Sequence, residues 1–246
     1  MAVNKDKNGY TFFFAIVMVV IVGSALAAVS VGLKPKQDKN LEIKKKMDIL
    51  NALKIKEING SDTLDISRKN AEALYAANVL VDDCLVLDAE GNVIPGIVAF
   101  DVDIKQQFRD KNLPEADRQY PLFVASIDGS KKYVIPVVGS GLWGPIWGYI
   151  AVDEDKSSIY GATFDHKTET PGLGAEIKQS FFYEQYESES ISENGVYKAI
   201  KVVKDGSGKE PSNFKVDGIT GGTITSKGVE EMVDRTLQVY VKYFNK

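Results

Sequence analysis

The hydrophobic pattern divides the chain before any composition is counted. Residues 8–33 carry no charge, and the densest part, residues 12–33, is almost wholly apolar. As a helix at ~1.5 Å per residue that part reaches about 33 Å, enough to cross a hydrocarbon core of ~30 Å. Tyr10 stands at one edge, where an aromatic anchor is expected. Ala25-Leu26-Ala27 also resembles a small-residue cleavage site. The run exceeds the ~7–15 residues of a secretory signal core, so a retained anchor is expected. No second such run exists, which predicts a single pass. The polar residues 34–40, with Pro35, read as a linker. In residues 41–52, Ile43, Met47 and Leu50 are spaced by four and three, the helical interval.

Beyond this point the periods alternate. Residues 67–81, with Ala71, Leu74, Tyr75 and Asn78, predict a helix. Residues 84–87 and 93–100 read as strands joined by the turn 88–92. Further strands are expected at 121–127, 133–138, 147–152 and 159–164, with turns at Asp128-Gly129 and Asp153-Glu154-Asp155. Val229, Met232, Val233, Leu237, Tyr240, Val241 and Phe244 fall on one face of a final helix. Thr225 or Ser226 is expected to cap it, with Glu230 and Glu231 suiting its first turn. The expected organisation is a short tail (1–11), a membrane helix (12–33), a linker and juxtamembrane helix (34–60), and one α+β domain (61–246).

Charge and composition narrow the function. Up to Lys46 there are 8 Lys/Arg against 3 Asp/Glu, a balance of +5; the remainder has 22 against 31, a balance of −9. An acidic body lacks the clustered positive charge that displaces counterions from nucleic acid. One cysteine, Cys84, excludes an internal disulfide and a Cys-ligated zinc site. One histidine, His166, excludes multi-His metal sites. No metal site and no catalytic side chain of the chain's own is expected, so demanding chemistry would come from a cofactor. Cys84 reads as a small buried residue and His166 as a partly exposed loop residue.

Three segments can carry chemistry. Asp217-Gly218-Ile219-Thr220-Gly221-Gly222-Thr223-Ile224-Thr225-Ser226 is a glycine- and hydroxyl-rich turn before a helix, suited to an anion by its N–H groups and the helix dipole. It lacks the lysine of a nucleotide P-loop, and a loop rich in turn formers with a capping Thr is the plainer reading of the residues alone. Glu169-Thr170-Pro171-Gly172-Leu173-Gly174 lets backbone approach a flat ligand, or is simply a turn. Gly139-Ser140-Gly141-Leu142-Trp143-Gly144-Pro145-Ile146-Trp147-Gly148 sets two Trp among four Gly, either an apolar slot for a ring system or a core edge beside a bulge.

In order, behind an N-terminal span, the segments 141–144, 169–174 and 217–226 closely resemble the NqrC family, one of the subunit types of the Na+-translocating NADH:quinone oxidoreductases, Nqr. The resemblance covers essentially the whole chain. It implies the FMN-binding domain fold, shared with the RnfG proteins of the related Rnf complexes; Gly-Leu-Trp-Gly favours the Nqr member. It further implies FMN attached by a phosphoester to Thr223, installed from FAD by a separate Mg2+-dependent flavin transferase. Thr220 stands where the family often has Ser, and Gly222 where it often has Ala; Thr220 and Thr225 are the other possible acceptors. By the same analogy the isoalloxazine lies against Leu142, Trp143, Thr170 and Leu173, with Gly141, Glu169, Gly172, Gly221, Gly222 and Thr225 completing the pocket.

The implied role is electron transfer from NADH towards a quinone, with five partner subunits handling NADH, quinone and sodium. The family pattern puts the soluble domain in the periplasm of a cell with an inner membrane. The lysines at 34, 36, 39 and 44–46, against Lys5 and Lys7 offset by Asp6, point the other way, but a long domain weakens that rule. A protein of the RnfG type, working between ferredoxin and NAD, is the alternative. From another class, a non-redox adaptor or pilin-like protein fits the anchor superficially, though 10–14 lacks the early Glu of pilin helices. A soluble FMN reductase is disfavoured by the membrane span and by the lack of an evident NAD(P) fingerprint in this sequence.

Overall fold

The computed structural model describes residues 8–59, 62–203 and 214–246. The expected tail with Lys5, Asp6 and Lys7 lies outside them. The chain divides into two compact units, Met1–Lys45 and Lys46–Lys246.

Helix α1 (Asn8–Ala52) is continuous for 45 residues. Its window of greatest hydropathy has no buried residue, as befits a helix whose apolar surface meets lipid. Residues 34–40, expected as a linker, are helical instead, with Pro35 inside the helix. Proline costs one backbone hydrogen bond, and Lys34 reaches Asp38 one turn later at 3.3 Å. The last turn belongs to the second unit, where Ile49, Leu50 and Ala52 are buried.

In that unit β1 (Glu57–Asn59) and β2 (Asp62–Leu64) pair antiparallel, followed by α2 (Ala71–Asn78). Strand β3 (Leu85–Leu87) then edges an antiparallel meander. The strand expected at 93–100 does not form. Val93 bridges to Leu87 and the Ile94 N–H bonds the Val86 carbonyl at 2.7 Å, but beyond them Gly96 turns the chain at φ +80°; residues 99–101 are a 3-10 turn. Short helix α3 (Ile104–Arg109) is capped by Asp103, which accepts from the Gln106 N–H at 2.9 Å. Strands β4 (Tyr120–Ile127), β5 (Ser130–Ser140), β6 (Pro145–Val152) and β7 (Ile159–His166) complete the sheet in the order β3-β4-β5-β6-β7. Asp128 and Gly129 both have positive φ in the β4–β5 turn.

After β7 come a 3-10 turn at 174–178, α4 (Ser180–Tyr183), the hairpin β8 (Ser192–Glu193) and β9 (Val196–Tyr197), and the parallel pair β10 (Lys201–Val203) and β11 (Lys215–Asp217). Helix α5 (Thr223–Phe244) closes the chain and packs its apolar face on the sheet. Val229, Met232, Val233, Leu237 and Tyr240 are fully buried, each contributing about 1.5–3 kcal/mol of transfer free energy. Close seating depends on glycine: a Cβ at Gly139 would stand 2.7 Å from Met232 Cβ, and one at Gly228 would run into the Ser140 carbonyl. Phe164, Phe182 and Tyr186 form an edge-to-face cluster under the neighbouring loops. The architecture is α+β, a mixed domain behind one N-terminal apolar helix.

Helix α5 begins at Thr223, earlier than its expected caps. Its N-cap is Gly222, and no side chain caps it. Thr225 and Ser226 are spent elsewhere: Ser226 Oγ accepts from the Ile219 N–H at 3.0 Å, fixing the turn that enters the helix. Glu230 and Glu231 consequently lie beyond the first turn, paired with Lys227 and Arg235.

Candidate functional site

The fold brings the three sequence segments to one end of the sheet. Residues 141–144 are the β5–β6 hairpin turn, closed by the Gly141 N–H bonded to the Gly144 carbonyl at 2.8 Å. Residues 169–174 follow β7, and 217–226 join β11 to α5. Lys167 N–H bonds the Pro145 carbonyl at 3.1 Å, and the Thr168 hydroxyl the Trp143 carbonyl at 3.0 Å, which ties the first two loops together.

Glu169 joins all three. Its Oε1 accepts from the Trp143 N–H at 2.8 Å, and its Oε2 from the Thr225 hydroxyl at 2.6 Å. The side chain is buried, as is Thr225. Burial pushes the carboxyl up, but the Thr225 hydroxyl and the N–H groups of Trp143, Leu142 and Gly144 outweigh it and hold the group below its ordinary value. Two glycines make the room: a Cβ on Gly141 or Gly174 would stand 2.6 Å from one or other carboxylate oxygen. Behind Glu169, its own N–H donates to His166 Nδ1 at 3.2 Å, which leaves the proton of a neutral imidazole on Nε2. That Nε2 is buried and has no partner among the described residues.

The remaining residues point outward. Leu142 and Trp143 are half to two-thirds exposed, Leu173 is 41% exposed and Ile224 59%, so large apolar side chains of all three loops meet solvent here. Leu173 lies against Gly221, whose φ of +76° a side chain would strain. Gly222 is buried behind Leu173, and Gly172 turns the second loop at φ +76° while its N–H bonds Glu176 Oε1 at 2.8 Å. The exposed Thr170 accepts through its carbonyl from Leu173 and Ala175 N–H groups.

Thr223 and Thr225 diverge, since residues two apart on a helix are about 200° apart around its axis. Thr225 faces Glu169, whereas Thr223 is exposed and lines a pocket of ≈ 380 Å³ with Val202, Val203, Gly218, Ile219, Thr220, Gly221, Ser226 and Lys227. No motif in the sequence marks Val202, Val203 or Lys227. Lys227 is one helical turn past Thr223, the one signal that pointed to it; its ammonium bonds the Val202 carbonyl and Glu230, both at 2.7 Å. A second pocket of ≈ 480 Å³, between Gly172, Phe181, Gln185 and Thr220, flanks the same turn.

The two tryptophans do not form one slot. Trp147 sits on β6 beneath Lys105, whose ammonium lies 3.3 Å from the ring centre, and Trp143 alone belongs to the loop. Cys84 is half-buried between the Leu80 carbonyl and the Val124 N–H; burial pushes its thiol up, away from reactivity. Among the described residues no His, Cys, Asp and Glu cluster could hold a metal ion.

These features fit a flavin mononucleotide. An exposed hydroxyl and a helix N-terminus without a side-chain cap suit a phosphate, and the neighbouring apolar side chains suit a fused ring. Residues 141–238 match the model of the FMN-binding domain family. Over 95% of its length the chain is 30% identical to the NqrC protein of the Vibrio anguillarum Na(+)-translocating NADH-quinone reductase, covering 92% of that protein. The crystal structure of the Parabacteroides distasonis counterpart superposes with a TM-score of 0.74 at 37% identity, over 87% of this chain and 98% of that one. The Shewanella oneidensis NqrC structure, at 22% identity and a TM-score of 0.66, shares the fold.

Proposed function

The chain belongs to the NqrC family of the Na(+)-translocating NADH-quinone reductases, and on that premise we propose that it carries electrons on an FMN joined by a phosphoester to Thr223. It is an FMN-binding, electron-transfer subunit of an NADH:quinone reductase, and its partners are other subunits of that complex. The observation that carries the acceptor assignment is the divergence of two hydroxyls: Thr223 is exposed at the first residue of α5, while Thr225 is buried on Glu169. An enzyme that modifies the turn can reach the first and not the second.

Bound there, FMN supplies the one- and two-electron chemistry that no side chain of this protein offers. The chain's residues seat it. The N–H groups opening α5 meet the phosphate, aided by the positive end of the helix dipole. Leu142, Trp143 and Leu173 cover ring surface and exclude water, with Thr170 at their margin. Thr220, the other exposed hydroxyl of the turn, sits before Gly221-Gly222 rather than on the helix.

The wider reading includes five partner subunits, a flavin transferase that loads the chain, and α1 crossing the inner membrane once through residues 12–33. The domain of some 200 residues then lies in the periplasm, since a domain of this size is translocated despite a lysine bias near the span. Denaturing gels under ultraviolet light test the acceptor. With flavin transferase present, the wild-type and Thr220→Ala bands fluoresce and the Thr223→Ala band does not; a fluorescent Thr223→Ala band overturns the assignment.

A further inference from the structure

The Gly-Leu-Trp-Gly turn curls around a carboxylate. Successive backbone N–H groups in a tight turn form a concave anion site, a nest. Here the anion is the chain's own Glu169, bonded to the Trp143 N–H at 2.8 Å. Its other oxygen takes the Thr225 hydroxyl from the first turn of α5, where the helix dipole also favours negative charge. We propose that Glu169 is a positioning residue for the flavin: its buried carboxylate clasps the Trp143 turn to the first turn of α5 and so sets the apolar edge of the seat relative to Thr223.

Geometry makes the link short. Thr223 is two residues before Thr225 on one rigid helix, and Trp143 donates to Glu169 through its own N–H. A shift of the carboxylate therefore moves the ring-covering side chain and the attachment hydroxyl against each other. The clasp selects a carboxylate. An ionised carboxyl accepts charge-assisted bonds from both the Trp143 N–H and the Thr225 hydroxyl, whereas a glutamine keeps both contacts only by donating its NH2 to the Thr225 oxygen, which reverses that bond and removes the charge. Gly141 and Gly174 admit nothing larger, because a Cβ on either would stand 2.6 Å from an oxygen of Glu169. The side chain is only 5% exposed and both oxygens are engaged inside, so its effect on the flavin runs through Trp143 and Thr225.

This inference rests on the covalent-flavin reading, and the test separates the two. Full-length wild type, Glu169→Gln, Thr225→Val and Thr225→Ser are co-expressed with flavin transferase and compared for flavin loading, flavin midpoint potential and cooperative melting. Thr225→Ser retains the hydroxyl and is expected to load as wild type, with the wild-type potential. Glu169→Gln and Thr225→Val are expected to melt cooperatively yet load at least about tenfold more slowly, the factor that accompanies loss of one charge-assisted hydrogen bond. The flavin that does attach is expected to show a displaced potential. Equal rates and potentials in all four chains overturn the clasp. If Glu169→Gln does not fold, the Thr225 pair decides, since it removes and restores a single hydroxyl. Wild type that acquires no flavin refutes the underlying reading instead. The clasp is then judged by emission anisotropy of Trp143 in a Trp147→Phe background, expected to fall in Thr225→Val and not in Thr225→Ser; no difference overturns it.

Discussion

The Thr225 hydroxyl donates to Glu169 Oε2 at 2.6 Å, joining the start of the last helix to a loop 56 residues earlier. A buried, doubly bonded carboxylate holds together three loops that are far apart in sequence. Around it the side chains segregate: hydroxyl and carboxylate inward, apolar residues and Thr223 outward.

The glycines facing that carboxylate are expected to be intolerant of even one methyl group. Gly174→Ala pushes a Cβ onto Glu169 Oε2 and the Thr225 hydroxyl. Overpacking of this kind costs about 1–3 kcal/mol. Urea denaturation of Gly141→Ala and Gly174→Ala checks it, and a change within error of zero in both would show that the pocket yields freely.

Stability should fall at both ends of the pH scale. The Glu169 carboxyl is held low by its donors against its burial, and Asp153 is held low by its bond to the buried Lys132. The unfolded chain binds these protons more readily, so their contribution is present above about pH 4–4.5 and is lost as pH drops through the folded values. Burial pushes the phenols of Tyr149, Tyr186 and Tyr240 up. Their contribution is whole below about pH 10 and is lost as pH rises above it, because unfolded tyrosines ionise first. Melting temperature against pH should show a plateau between; stability still rising above pH 10 would contradict this.

Two buried tyrosines should respond differently to loss of the hydroxyl. Tyr240 donates to the Pro121 carbonyl at 2.7 Å, so Tyr240→Phe should cost about 1 kcal/mol. Tyr186 Oη is buried with no partner among the described residues, so Tyr186→Phe should be neutral or stabilising. Chemical denaturation ranks them, and Tyr186→Phe as the more damaging change would refute the assignment.

Helix α1 should hold the chain in membranes. Full-length protein is expected to stay in the pellet after alkaline carbonate extraction, and protein lacking residues 12–33 to appear in the supernatant. Extraction of the full-length chain would count against a spanning helix.

Much of this molecule was legible because its signals are local. The meander showed as alternating runs, and α5 as a 3.6-residue stripe from Val229 to Phe244. Sequence and structure part where local chemistry loses to context. Val93 to Phe100 reads as a strand by content, yet the turn at Gly96 ends the pairing after Ile94. Residues 34–40 looked like a linker by polarity and Pro35, but helices on both sides carry through. Thr225 had the chemistry of a cap, and only the fold reveals a carboxylate 56 residues away that takes its proton in a hydrogen bond. The three loops were visible as motifs, but their meeting at Glu169 depends on sheet register, which no single segment encodes. The wall from Val202 has no mark in the sequence for the same reason, whereas Lys227 stands one helical turn from Thr223.

The central claim is tested most directly by mass spectrometry of the tryptic peptide running from Val216 to Lys227, taken from chain produced with its flavin transferase. The account predicts that peptide heavier by one FMN less one water, with fragment ions placing the addition on Thr223. An unmodified peptide, or an addition on Thr220 or Thr225, would contradict it.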